Sequence, residues 1–164
     1  MSAKAAVQRP AVVILVAEDD ANDVLLLRRA FSKADIPASL FFVSNGQEAI
    51  SYLQGEPPFN NRADYPFPSV LLLDLNMPAV SGLEVLEWLA SRPERAGLVV
   101  VMFSSCMAPA DCRQAVKLGA YACITKPLDP GALLPMLAEL SGDSAAEKRP
   151  APQENCPPQD RNSS

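Results

Sequence analysis

The chain has 164 residues, 49% apolar and 20% charged, an ordinary globular balance with enough length to bury a core. A formal charge of -5 with no Lys/Arg cluster argues against nucleic acid or an anionic membrane surface as partner. There is no histidine, which removes Ser-His-Asp and Cys-His catalysis, and Cys106, Cys112, Cys123 and Cys156 show no C-x-x-C spacing that would suggest a Cys/His metal centre.

The apolar run Val12–Ala17, closed at once by Glu18-Asp19-Asp20, predicts a strand buried on both faces. It is too short for a signal peptide core or a membrane span, so the cytoplasm is the expected compartment, where scattered cysteines stay reduced. Residues 20–34 read as a helix, with Val24, Leu27, Phe31 and Ala34 on one stripe and Asp20 or Asn22 as cap. Residues 39–43 form the second predicted strand and 47–54 the second helix, ended by Gly55. Residues 55–68 make a connection long enough to suggest a role, and Phe59, Tyr65 and Phe67 predict that it packs on the body.

The third strand is predicted at 70–75 and the third helix at 82–90, with Leu83, Leu86 and Leu89 inward. A strand at 98–103, a helix at 109–118 with Pro109 in its first turn, a strand at 120–124 and a helix at 130–140 follow. Five strands alternating with five helices imply a doubly wound α/β fold, a parallel sheet covered on both faces. From Asp143 onward there is no Val, Ile, Leu, Met or aromatic residue, so 142–164 is expected to be a disordered Pro-rich tail. The expected organisation is a short extension at 1–10, a folded domain at 11–141 and that tail.

In such sheets ligands bind beyond the carboxyl ends of the strands. There this chain puts Glu18-Asp19, Asp74, Ser104 and Thr125-Lys126-Pro127. Any one of these has a bland explanation as a cap, turn or solvated residue; all four strand ends together do not. Clustered carboxylates repel unless a cation joins them, and oxygen-only ligands select Mg²⁺. A carboxylate can also act as a nucleophile toward phosphorus, with a lysine and a hydroxyl to receive the phosphoryl oxygens.

The segments Val16-Ala17-Glu18-Asp19-Asp20, Leu72-Leu73-Asp74-Leu75-Asn76-Met77-Pro78, Gly82, Ser104-Ser105 and Thr125-Lys126-Pro127, at these spacings, resemble the response-regulator receiver family over roughly residues 12–140. The opening from Asp20 to Phe31 and the long connection before the third strand look like the largely single-domain subgroup that works with phytochrome-type histidine kinases. The resemblance implies a flavodoxin-like sheet of order 2-1-3-4-5 and a phosphoryl group received on Asp74 from a histidine kinase. It implies Mg²⁺ held by Asp19, Asp74 and the backbone carbonyl of Asn76, with Glu18 acting through water. Ser104 would be the switch hydroxyl, Lys126 would pair with the phosphoryl group, and the Lys126-Pro127 peptide would be cis. Output would leave through protein contacts of the fourth helix, fifth strand and fifth helix, a face that also forms homodimers in the family.

Three positions depart from the family pattern: Ser81 stands where Asp is usual, no Pro precedes the fourth strand, and Cys123 replaces the aromatic residue that usually reports the switch. Two other readings compete. An aspartate-nucleophile phosphatase of related fold would need a second Asp where this chain has Asn76. A degenerate scaffold receiver would not need Glu18, Asp19, Asp74, Ser104 and Lys126 together.

Overall fold

The computed structural model describes residues 12–93 and 96–141; the extension at 1–10 and the tail at 142–164 lie outside the described residues. Strands β1 (Val12–Ala17), β2 (Ala38–Val43), β3 (Val70–Asp74), β4 (Val99–Ser104) and β5 (Ala122–Thr125) form one parallel sheet in the order β2-β1-β3-β4-β5. Helices α1 (Ala21–Ala34), α2 (Gly46–Gln54), α3 (Gly82–Ala90), α4 (Pro109–Lys117) and α5 (Leu134–Ser141) connect and cover it.

Alternation along the central strands explains their unbroken apolar sequence. Leu15, Leu71, Leu73, Val100 and Met102 face α2, α3 and α4, where they meet Leu53, Leu86, Leu89 and Ala115. Ile14, Val16, Val70, Leu72, Val101 and Phe103 face α1 and α5, where they meet Leu27, Phe31, Met136 and Leu137. Both faces are dry, so neither parity of strand residue can be polar. No helix among the described residues is long and apolar enough to cross a membrane.

Departures from the predicted elements are local and have visible causes. Ala34, placed on the inward stripe of α1, is exposed, because Asp35 turns left-handed (φ 52°) and ends the helix there. β5 begins two residues later than predicted: the Gly119 and Ala120 N–H groups still serve α4, donating to Val116 (2.9 Å) and Ala115 (2.9 Å). The last predicted helix opens as a 3₁₀ turn, Pro130–Leu133, capped by the Asp129 carboxylate on the Gly131 N–H, before α5 begins.

The long connection packs, as its aromatic residues predict. The Arg62 guanidinium donates to the carbonyls of Tyr52 (2.9 Å), Leu53 (3.0 Å) and Tyr65 (3.3 Å), closing the C-terminus of α2. The rings of Tyr52, Phe59 and Tyr65 pack tilted or edge-to-face, with centroids 5.1 to 6.0 Å apart. Phe67 is the exception, 39% exposed beneath Arg62.

Tyr52 is 1% exposed and its hydroxyl donates to the Pro66 carbonyl at 3.0 Å. Burial raises its pKa to about 12, with Arg62 opposing and Tyr65 adding. The unfolded phenol ionises near pH 10 and the folded one later, so stability is complete below pH 10 and falls as pH rises towards 12. Tyr52→Phe is expected to cost about 1 kcal/mol at neutral pH. In urea unfolding across alkaline pH it should also flatten the decline between those values; an unchanged slope would contradict this.

Candidate functional site

The sheet register assembles the site. Ala17 pairs with Leu73, so the next residues, Glu18 and Asp74, leave β1 and β3 side by side. Asp74 pairs with Phe103, Ser104 pairs with Thr125, and the Lys126 N–H donates to the Ser104 carbonyl at 2.9 Å. Glu18, Asp74, Ser104 and Lys126 thus meet at one edge. Glu18 is 2%, Asp74 4% and Ser104 1% exposed, while Asp19 is open to solvent.

Gly82 lets α3 begin against this edge. A Cβ there would stand 2.3 Å from the Asp74 carbonyl oxygen, and its N–H donates to Leu75 at 3.0 Å. Ser81, the departure from the family pattern, caps α3. Its hydroxyl accepts from the Glu84 N–H (3.3 Å) and the Glu84 carboxylate accepts from the Ser81 N–H (2.6 Å), a reciprocal capping box.

Carboxylate oxygens of Glu18, Asp19 and Asp74 lie within 4.8 Å of one another. Lys126 Nζ donates to Glu18 at 2.6 Å, to Asp23 at 2.9 Å and to Asp74 at 3.4 Å, and sits 5.0 Å from the centre of the Phe103 ring. Burial pushes the Glu18 carboxyl up to about 7, against the hydrogen bonds it accepts from Lys126 and from the Asp20 N–H. Burial alone would lower the Lys126 pKa; the hydrogen bonds to Glu18 and Asp23 and the Asp74 charge outweigh it and hold the ammonium above its ordinary value. One fixed cation is therefore paired with three carboxyl groups, and Asp19 adds a fourth to the cluster without a contact to Lys126. The remaining donors are all oxygen, a set that fits a hard divalent cation such as Mg²⁺.

Ser104 and Asn76 link the edge to the loop after β4. The Ser104 hydroxyl donates to the Cys106 carbonyl (3.1 Å) and accepts from the Cys106 N–H (3.4 Å) and the Asn76 side-chain amide (3.4 Å). The Asn76 N–H donates to the Asp74 carboxylate at 3.3 Å. The Lys126-Pro127 peptide is cis, as the resemblance implies. Cys123 is half-buried against the α2–α3–α4 core, and its thiol approaches the Cys112 carbonyl at 3.8 Å. Among the described residues, Cys106, Cys112 and Cys123 form no disulfide.

Every site residue named from sequence lies in or beside this cluster. Sequence reasoning missed Asp23, whose position in the first turn of α1 was the available signal, and Phe103, which read only as the end of the fourth predicted strand.

The model for the response regulator receiver domain matches residues 14–138. Response regulator Rcp1 of Synechocystis sp. is 31% identical over 96 residues, 58% of this chain, and the match spans 63% of Rcp1. Its Mn(2+)-bound structure, 25% identical, covers 87% of this chain and 99% of that one with a TM-score of 0.65. Response regulator RPA3017, in red light signaling of R. palustris, is 32% identical, covers 83% of this chain and 96% of its own, and superposes with a TM-score of 0.68. The phosphorylated cyanobacterial phytochrome response regulator RcpA is 29% identical, covers 79% and 90%, and has a TM-score of 0.64. With the family matched over most of its length and the sheet order and acidic edge in place, this chain belongs to the response regulator receiver domains, a family of signalling modules.

Proposed function

We propose that this chain accepts a phosphoryl group on Asp74 from a histidine kinase and signals through contacts that depend on that phosphoryl group. The observation that carries the reading is the Asp74 carboxylate itself, buried, with Lys126 at 3.4 Å and two further acids in reach of a shared cation. An Asp74 oxygen attacks phosphorus, the bond to the donor's histidine nitrogen breaks, and the imidazole leaves with a proton from solvent. Asp19, Asp74 and the Asn76 backbone carbonyl would hold Mg²⁺, with Glu18 acting through water. Bound there, the ion supplies positive charge to the phosphoryl oxygens. Lys126 supplies the second cation and Ser104 a hydroxyl donor, turning from Cys106 towards the new oxygens.

The subgroup features of α1 and of the connection before β3, with the likeness to RPA3017 and RcpA, favour a phytochrome-type kinase as donor. The output runs through α4, β5 and α5, including contact between two copies, rather than through nucleic acid or membrane; residues 11–141 form the receiver, working in the cytoplasm. Asn76, in place of an acid, disfavours phosphatase turnover of external phosphoesters.

Labelled acetyl phosphate or a phytochrome-type kinase should transfer a base-labile, acid-stable phosphoryl group to the chain. Excess EDTA should slow that transfer at least about a hundredfold, because the uncompensated carboxylates repel the donor. Equal rates with and without EDTA would refute the metal assignment.

A further inference from the structure

An ammonium offers three N–H donors, and Lys126 has three carboxylate partners for them. The short contacts, Glu18 at 2.6 Å and Asp23 at 2.9 Å, hold Nζ near β1 and α1, and the longest, 3.4 Å, reaches Asp74. Asp23 stands apart from the trio of acids able to share a cation, Glu18, Asp19 and Asp74. Its place is set by the start of α1. The Asp20 carboxylate accepts from the Asn22 N–H (2.7 Å) and the Asp23 N–H (3.3 Å), and Leu27 and Phe31 anchor the same helix in the core. The Asp23 side chain is 33% exposed, on the wall of a cleft of about 460 Å³ that Leu26, Phe103, Ser105, Lys126 and Pro127 also line.

A phosphoryl group on Asp74 brings strong acceptor oxygens and added negative charge. Lys126 must lengthen a short contact to reach them. Glu18 has other work, since it belongs to the cation cluster and also accepts from the Asp20 N–H at 3.0 Å. Asp23 is the carboxylate whose bond to the lysine competes with the phosphoryl group and which lies outside the acids able to share a metal ion. We propose that Asp23 is a positioning residue that restrains Lys126 away from Asp74 until a phosphoryl group draws it across. The inference rests on the phosphoacceptor reading of Asp74. Asp23 acts only on the resting state: it sets how much interaction must be given up before the lysine can serve.

The test uses the full chain, wild type and Asp23→Asn, with beryllofluoride as a non-covalent phosphoryl mimic in saturating Mg²⁺, followed by fluorine NMR. The amide lacks the charge, so the variant is expected to bind the mimic about fivefold tighter, the scale of a partly exposed ion pair. Asp23→Glu, which keeps the charge, should return affinity to within about twofold of wild type. The Lys126 side-chain resonances should shift in Asp23→Asn without any ligand, a signature that loss of α1 stability alone would not give. Mg²⁺ affinity, titrated without the mimic, should stay within about twofold, since Asp23 is no ligand. Equal or weaker mimic binding by Asp23→Asn overturns the inference while leaving the phosphoacceptor reading intact, and so does a tenfold loss of Mg²⁺ affinity. A wild-type chain that binds no mimic overturns that reading, and the inference with it.

Discussion

Asp74→Asn is expected to abolish phosphoryl transfer outright, because an amide oxygen is not a nucleophile towards phosphorus. The same substitution takes one charge from the cluster of Glu18, Asp19 and Asp74. Mg²⁺ affinity should therefore fall by at least about tenfold, an estimate for losing one of few carboxylate ligands. Folding should survive: Asn is isosteric, keeps an acceptor for the Asn76 N–H, and relieves repulsion with Glu18, whose carboxyl the Asp74 charge helps to raise. The melting temperature should stay within about 5 °C of wild type, which corresponds to roughly 1–2 kcal/mol in a domain of this size. Retention of a base-labile label by a folded Asp74→Asn chain would overturn the assignment of Asp74.

Gly82→Ala should give the largest loss of stability of any change that adds a single methyl group at the site's edge. The new Cβ would meet the Asp74 carbonyl oxygen at 2.3 Å, its carbonyl carbon at 3.0 Å and the Leu75 Cα at 3.0 Å. All three are backbone atoms, so no rotamer change can relieve the clash. Either α3 withdraws from the sheet, exposing Val85, Leu86 and Leu89, or the β3 terminus moves and takes the Asp74 carboxylate with it. The expected cost is about 3 kcal/mol or more, at the upper end for overpacking in a close-packed interior. Urea unfolding measures it, and Mg²⁺ titration of the folded fraction should show weaker binding. A loss below about 0.5 kcal/mol would mean that α3 can slide freely past β3.

Much of this was legible beforehand, for a physical reason. A strand covered on both faces has no freedom to be polar, so Val70–Asp74 and Val99–Ser104 announce themselves by composition and their ends announce the site edge. Glu18, Asp74 and Ser104 stood out because they close apolar runs at the carboxyl ends of strands, where ligands bind in such sheets. What sequence could not give was contact between groups from different elements. Whether Asp23 faces solvent or Lys126 depends on the rotation of α1 against the sheet, which its half-buried stripe fixes only loosely. The start of β5 was misjudged for a related reason: Gly119 and Ala120 look equally suited to a strand until the carbonyls at the end of α4 claim their N–H groups. Ser81 stood out only as a departure from the family pattern, and its capping role emerged only with the Glu84 side chain folded back onto it.

The contacts of Lys126 reach across 52, 103 and 108 residues of chain, to Asp74, Asp23 and Glu18. Closing segments of that length costs entropy that only the completed sheet offsets. The acids come from the end of β1, from α1 and from β3, and the lysine follows β5, an edge strand of four residues that, among the described residues, pairs with β4 alone. A chain whose β5 edge has frayed has these acids without the cation that pairs with them. On the phosphoacceptor reading, the site is therefore complete only when β5 has joined the sheet and brought Lys126 to the acids.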